Sequence, residues 1–419
     1  MIFYAKKGDD IKMTTEKKLS MPIKTLIGLI CGVIAGSILG GNNAYIAKNF
    51  ISPFGTLFLN AIKMVVVPMV FSSIIVGVCG IGDAKSVGRI GGKTVVYFLC
   101  TTVFAATFGI IAANVFHIGE GFVIEGTVAE VTIPENPGII NTLINIIPAN
   151  PIQSIANGDM LQIIAFAIIV GGGIVIVGEK AQPVFKFFNG MAEIMFAVTG
   201  VIMKFTPIAV FALITPVVAE NGISVLLPLA SVVLVVYGTC IVHAVVVYSL
   251  SVKIFSGISP LKFFKHSAEA IVFAFTSASS SATLPYSMQS AEKMKVSESV
   301  SSFVLPLGST INMDGTAIYQ GICALFIANV YGIELTLVQQ ITIVLTCTFA
   351  SVGAAGIPGS AMIMLSMVLQ SVGLPVEGIG LVAGIDRITD MAPTATNITG
   401  DIACSVVVAA TEGELGKDE

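Results

Sequence analysis

Long apolar runs fill the first part of the chain, near residues 22–46, 52–80, 91–116, 155–178, 185–218 and 224–255. Each is long enough for a helix that crosses a bilayer, which needs roughly 20 residues. After residue 260 the pattern changes. Small polar clusters interrupt the apolar runs: TSASSSATLPYS (276–287), STINMDGT (309–316), ASVGAAGIPGSA (350–361) and DRITDMAPTATNITGD (386–401). At membrane depth such segments are tolerated only where they are buried in protein or line a wet cavity.

Two of the clusters, 276–287 and 350–361, combine small residues with a proline, Pro285 or Pro358. Apolar stretches of about half the spanning length flank each one. This predicts two re-entrant helical hairpins, over 259–294 and 336–373, each followed by a helix with a polar cluster, 298–330 and then 375–411. Hairpin followed by helix, twice, is a weak internal repeat. Broken segments at matching places in two halves point to the binding site of a secondary transporter. The expected fold is an all-α integral membrane protein with eight transmembrane helices, two re-entrant hairpins and inverted repeats.

Composition agrees. Of 419 residues, 55% are hydrophobic and 11% charged, with a mean hydropathy of +0.94. Soluble domains carry about 25% charged residues, so a soluble protein with a large core is disfavoured. The net charge of −4 matters less than where the charges lie. Lys and Arg gather in the first 24 residues, in the 81–93 loop (Lys85, Arg89, Lys93), at Lys180 and Lys186, and at Lys253, Lys262 and Lys265. The 117–137 loop holds Glu120, Glu125, Glu130 and Glu135 without a Lys or Arg. By the positive-inside rule the basic set faces the cytoplasm, and eight spans put both termini there. A Lys-rich start without an apolar core reads as a cytoplasmic tail rather than a signal peptide. Seven cysteines show no paired spacing, so neither disulfides nor zinc is implied.

The chemistry concentrates in the polar clusters. Asp314, Asp390 and Asp401 fall within segments that should be buried, where an ionised side chain costs from about 2.5 to more than 10 kcal/mol unless paired or solvated. They could satisfy neighbouring helices, and Arg387 stands three residues before Asp390. From residue 266 onward the only other cations are Lys293, Lys295 and Lys417, so the compensating charge has to come from solution. Hard cations take oxygen ligands. Thr101, Thr102, Thr310, Asn312, Asp314, Asn397 and Asp401, with carbonyls freed by unwinding near 309–314, make a set that suits Na⁺. Asp390, Thr394, Asn397 and Asp401 recur at steps of four, three and four and form one helical stripe. The serines at 279–281 place backbone N–H groups at a hairpin tip, where a helix N-terminus can hold a carboxylate; the competing reading is a simple polar turn.

These features describe a cation-coupled secondary transporter of a small zwitterion or anion, not an enzyme. An ion channel with the clusters as its filter is the alternative of another class. No GxxxxGK[ST] loop argues for an ATP-driven pump, and no nucleic-acid partner is expected. His117, His243 and His266 are isolated in sequence and read as interfacial or structural.

The motifs SSSATLP, TINMDGTA, GAAGIPG and TNITGD resemble those of the dicarboxylate/amino acid:cation symporter family, over about residues 25–412. The resemblance implies a homotrimer in the cell membrane. It implies a scaffold over 25–85 and 119–220, and a transport domain over 86–118 and 221–412 that moves as an elevator, with tails at 1–24 and 413–419. It implies one Na⁺ site from Gly308, Asn312, Asn397 and Asp401. A second would use Thr310 and Met313 with carbonyls of Ser351, Val352 and Ala354; a third would use Phe98, through its carbonyl, Thr101, Thr102, Asn312 and Asp314. Ser280 and Asn397 would hold the substrate α-carboxylate and Asp390 its α-amino group. Gly356 and Ile357 would close over it, near Thr316 and Thr394, with Ser279, Met313, Gly359 and Pro393 completing the pocket.

Two departures bear on the substrate. Acidic-substrate members carry an arginine where this chain has Pro393, and archaeal aspartate carriers carry one where it has Ala278. A desolvated second carboxylate without a cation costs several kcal/mol. The expected substrate is therefore a small neutral amino acid. The alternative is aspartate or glutamate, recognised by Arg387 or by hairpin amides. Pro393, read as lying mid-helix, should free a carbonyl near Thr389. Asp401, which proton-coupled relatives tend to lack, favours Na⁺.

Overall fold

In the computed structural model, the described residues are 21–82, 88–122, 147–351 and 360–416. Among them the backbone is helix and turn, with a lone β-bridge between Val296 and Leu415. The first helix, α1 (Met21–Ile38), starts inside the expected tail. It ends before the run of 22–46 does, because Gly40 and Gly41 interrupt it, Gly41 at φ +67°. A 3-10 turn at Gly41–Asn43 then leads through Ala44–Ile46 and a π-turn into α2 (Ser52–Gly82). Then come α3 (Gly88–Val115), a short helix Pro151–Asn157 capped by Asn150, and α4 (Met160–Val177).

The expected span 185–218 is two helices, α5 (Gln182–Met203) and α6 (Thr206–Asn221). Pro207 has no N–H to reach the Met203 carbonyl four residues back. The Thr206 hydroxyl donates to that carbonyl instead, at 2.7 Å, and the helix restarts on a new course. After it, α7 (Leu226–His243) passes through a π-turn at Ala244–Tyr248 into α8 (Ser249–Ser256).

The first hairpin lies where the sequence places it. Ser259 caps α9 (Pro260–Ser277), whose first residue is a proline, and Ala278 ends it in the left-handed region at φ +48°. Ser279 then caps α10 (Ser280–Lys293) by accepting from Ala282 N. The following helix is α11 (Glu298–Ile311), a break at Asn312 and Met313, and α12 (Asp314–Val330). The arms of the second hairpin are α13 (Leu337–Ser351) and α14 (Ser360–Ser371). Its tip, 352–359, is outside the described residues. The last element approaches through short turns at Val376–Gly378, Ile379–Val382 and Asp386–Thr389, and continues as α15 (Met391–Glu412).

Helix α12 packs against α3, α13 and α15, while α15 also takes contacts from α9 and α11. Every residue from Asp314 to Ala328 and from Thr396 to Ala409 is buried. These two helices, which carry Asp314, Asn397 and Asp401, form the centre. The periphery is the reverse, with large exposed apolar side chains on α1 (Ile27, Ile30, Ile34), α5 (Phe187, Ile194) and α8 (Leu250, Ile254). Exposed apolar surface on this scale belongs against lipid or another subunit. Among the described residues, four continuous helical stretches, Ala44–Cys79, Arg89–Val115, Gln162–Met203 and Leu226–Ser256, are long and apolar enough to cross a membrane. Gln162–Met203 contains the turn between α4 and α5.

Ion pairs tie the ends of elements together. Lys63 of α2 meets Glu377 at 2.7 Å, and Lys93 of α3 meets Glu412 at the end of α15 at 2.6 Å. Within the apolar layer, contact depends on shape. Gly28, Gly32 and Gly36 form one stripe of α1 against α6, and an added Cβ would stand 2.2 Å from the Pro207 carbonyl oxygen at Gly28 and 2.3 Å from Ile214 at Gly32. Small residues at such spacing let helix backbones approach where no hydrophobic effect drives them together. Gly32→Leu should therefore separate α1 from α6 and destabilise the protein by about 1–3 kcal/mol, seen as a lower melting temperature in detergent; an unchanged melting temperature would show that the contact is dispensable.

Candidate functional site

The site forms where α11 gives way to α12. The last helical bond of α11 runs from Asn312 N to Gly308 O at 2.9 Å, after which Asn312 takes an extended conformation. Asn397 on α15 compensates the broken helix. Its Oδ1 accepts from Gly315 N at 2.8 Å, one of the N–H groups that a helix start leaves unpaired. The Asn312 amide crosses to α15 in return, its Nδ2 donating to Asn397 O and to Asp401 Oδ1, both at 2.9 Å. Its other atom, Oδ1, is buried with no hydrogen-bond partner. A buried oxygen acceptor left open beside a carboxylate is what a cation site needs.

Close approach makes this geometry possible. A Cβ at Gly308 would lie 2.5 Å from Asp401 Oδ1, and one at Gly400 would lie 2.5 Å from Asn312 Nδ2 and 2.6 Å from the Tyr248 hydroxyl. Gly315 sits against the Pro393 backbone, where a Cβ would come within 2.3 Å of the Pro393 oxygen.

Asp314 is held from outside its own helix. Its Oδ1 accepts from Thr102 Oγ1 at 2.6 Å, and its Oδ2 accepts from Tyr248 Oη at 2.7 Å and faces His243 Nε2 at 3.2 Å. Thr102 Oγ1 also lies 2.7 Å from the Phe98 carbonyl oxygen, which Thr101 Oγ1 approaches at 3.1 Å. No Lys or Arg pairs with Asp314 or Asp401 among the described residues.

The structure brings together Gly308, Asn312, Asn397 and Asp401 of one expected set, and Phe98, Thr101, Thr102 and Asp314 of another, whose fifth residue, Asn312, turns its side-chain amide to Asn397 and Asp401 instead. The remaining set is not brought together among the described residues. Thr310 is exposed and donates to Leu307 O of its own helix, and Ser351 donates to Thr348 O. Val352 and Ala354 lie outside the described residues, as do Gly356, Ile357 and Gly359 of the expected pocket. Met313 is buried, with its Sδ 3.3 Å from Asn397 Nδ2 and 4.0 Å from Thr316 Oγ1.

Of the remaining pocket residues, Ser280 is buried at the start of α10, directly after the capping Ser279. Thr394 donates its hydroxyl to Asp390 O at 2.9 Å. Asp390 is buried, and its carboxylate makes no hydrogen bond among the described residues, with Asp386 and Arg387 as its charged neighbours. Arg387 interacts electrostatically with Asp390, but no hydrogen bond or ion-pair contact joins them among the described residues. Arg387 is only 8% exposed, its Nε has no partner, and no carboxylate among the described residues stands at ion-pair distance. The neighbouring Asp386 takes the Tyr319 hydroxyl at 3.3 Å. Pro393 lies three residues beyond Asp390, which keeps a right-handed helical backbone, and bonds from Asp390 N to Asp386 O (2.7 Å) and from Thr394 N to Asp390 O (3.1 Å) carry the helical course past it. Its missing N–H removes the bond to Thr389 O, the carbonyl expected to be freed.

A family model described as sodium:dicarboxylate symporter family matches residues 21–411. The chain belongs to the sodium:dicarboxylate symporter family. It is 39% identical over 411 residues to the proton/sodium-glutamate symport protein of Bacillus caldotenax, covering 96% of this chain and 97% of that one. It is 40% identical over 404 residues to the protein of that description in Bacillus subtilis, covering 94% of each. With the proton/glutamate-aspartate symporter of Escherichia coli it shares 37% over 414 residues, 96% of this chain and 94% of that one. These relatives are named for acidic amino acids, which favours the alternative substrate over the neutral amino acid that Pro393 and Ala278 suggested.

Reading the sequence of this symporter missed two residues that face Asp314, His243 and Tyr248. Residues five apart are about 140° apart around an α-helix. The π-turn at Ala244–Tyr248 widens the helix and turns both toward α12. No spacing rule for an α-helix would have paired them.

Overpacking at the crossing of α12 and α15 should uncouple the symporter from its cation. Gly400→Val would displace Asn312 and Tyr248, costing about 1–3 kcal/mol. Thermal unfolding in NaCl against choline chloride should then lose its Na⁺-dependent increment; a preserved increment would argue against a cation at this crossing.

Proposed function

We propose that this chain is a Na⁺-coupled secondary symporter of an acidic amino acid, glutamate or aspartate, in the cell membrane. One observation carries the cation-coupled part of this reading. Two buried carboxylates, Asp314 and Asp401, and the open Asn312 Oδ1 converge on a helix break with no Lys or Arg among the described residues to balance them. Cations from solution supply that balance. The ligands are the residues named above, with Thr310, Met313, Ser351, Val352 and Ala354 contributing once the second hairpin closes.

Substrate and cation meet at Asn397. Its carbonyl and side chain serve the helix break while its amide reaches Met313 and Thr316. Whatever orders Asn312 also orders the residue that contacts the amino acid, so each ligand tightens the other. Asp390, whose buried carboxylate makes no hydrogen bond among the described residues, receives the α-amino group, and the N-terminus of α10 at Ser279 and Ser280 receives the α-carboxylate. In this reading Arg387 supports the acidic side chain. Among the described residues it is the one Lys or Arg that is buried. Movement follows the elevator scheme. The scaffold is 25–85 and 119–220, the transport domain 86–118 and 221–412, in a homotrimer with cytoplasmic termini.

A second reading, a small neutral amino acid as substrate, rests on Pro393 and Ala278, where acidic-substrate members have arginine. Proteoliposomes with an inward Na⁺ gradient distinguish the two. Uptake of labelled aspartate should be abolished by excess glutamate and unaffected by alanine or serine, and Arg387→Ala should raise the half-saturating aspartate concentration by at least about tenfold, about 1.4 kcal/mol. Alanine or serine uptake that ignores excess aspartate would establish the neutral substrate. In that case Pro393→Arg should create aspartate uptake.

A further inference from the structure

The geometry points to His243 and Tyr248 as positioning residues that set the cation affinity of the Asp314 site. The inference rests on the reading of Asp314 as a cation ligand. It adds two residues from a different element, the π-turn between α7 and α8.

Both side chains act on one oxygen. Tyr248 Oη donates to Asp314 Oδ2 at 2.7 Å, and His243 Nε2 lies 3.2 Å from the same atom. A carboxylate only accepts, so Nε2 carries the hydrogen. The two rings brace each other edge to face, with centroids 4.8 Å apart, and Phe108 packs against His243 from the other side at 5.9 Å. His243 and Tyr248 have no exposure, and His243 Nδ1 is buried without a partner. A buried imidazole leaving one nitrogen unsatisfied is held there for what the other does.

The consequence is a division of labour across the carboxylate. Oδ2 is tied to the π-turn, which keeps the plane of the group fixed. Oδ1 is left to Thr102, a hydroxyl that can turn its hydrogen to Phe98 O, 2.7 Å away, and offer its oxygen to a cation. Without the tie the carboxylate would have to be oriented at each binding event. Partners that hold a ligating carboxylate commonly contribute about 10- to 100-fold in metal affinity.

The test uses the full chain, with NaCl as the only ligand in a thermal-shift titration and again in uptake at saturating amino acid. Tyr248→Phe, which removes a single oxygen, and His243→Leu should each raise the half-saturating Na⁺ concentration by about tenfold or more. His243→Gln, which returns an N–H donor, should recover most of the loss. Asp314→Asn separates the clamp from the cation site it serves. If it loses Na⁺ dependence while Tyr248→Phe and His243→Leu stay within about twofold of the parent, the clamp is overturned and the cation site stands. If Asp314→Asn keeps Na⁺ dependence, there is no site for the clamp to serve, and it falls too. A His243→Gln protein no better than His243→Leu overturns the donor role in favour of packing. Should His243→Leu fail to fold, Tyr248→Phe decides alone.

Discussion

A carboxylate without a cation, in the middle of a protein that lives in hydrocarbon, is the constraint from which the rest follows. Asp314 and Asp401 lie on helices buried on every side. Isolated charges there would cost many kcal/mol or lose their ionisation. The protein brings them donors instead: Thr102, Tyr248 and His243 to Asp314, and Asn312 to Asp401. Hydrogen bonds distribute the charge but do not cancel it. In the proposed reading the charge that remains is what a mobile cation meets, as a site that must bind and release requires.

The break in the helix at Asn312 and Met313 is a consequence of the same constraint. A continuous helix would keep its carbonyls paired and hold the side chains of 312 and 314 about 200° apart around the axis. Breaking it frees polar groups and lets both residues face inward. The exposed N–H groups at the start of α12 then need an acceptor, and Asn397 supplies one to Gly315. Glycines at 308, 315 and 400 are where the neighbouring elements touch, and side chains there would push apart the groups that share the charge.

Much of this was legible in the residues. Clusters of small polar residues between half-length apolar stretches marked the hairpins, because irregular backbone survives at membrane depth only where protein or a wet cavity satisfies it. The first hairpin and the break in α11–α12 fall within a residue or two of their expected places. The stripe from Asp390 to Asp401 was legible because helical periodicity is simple. What escaped depends on departures from that periodicity. The split between α5 and α6 turns on the Thr206 hydroxyl replacing a bond that Pro207 cannot make. Proline in an apolar run does not announce which outcome it will have, since Pro216, Pro285 and Pro306 remain inside helices. His243 looked isolated because its partner is 71 positions away and its orientation comes from a π-turn.

Substrate choice shows where local reasoning and overall likeness diverge. A missing arginine at 393 argues from one position, and it assumes that the second carboxylate of an acidic substrate must be met there. Pro393 occupies the first turn of α15 with its backbone against Gly315, so the position serves the contact between the two central helices as well as the pocket. A guanidinium buried six residues earlier, with its Nε free, is a cation that the protein already keeps out of water without an ion pair among the described residues. Arg387 stands beside Asp386 and Asp390 and feels their charge, but no carboxylate among the described residues meets its guanidinium directly, and a buried charge without a direct partner is costly whichever its sign. In the proposed reading an anionic side chain delivered by the substrate would meet it, as Na⁺ would meet the carboxylates. The charge of the buried region would then differ between the empty and the occupied states. That difference links binding of the amino acid to binding of the ions without any contact between them.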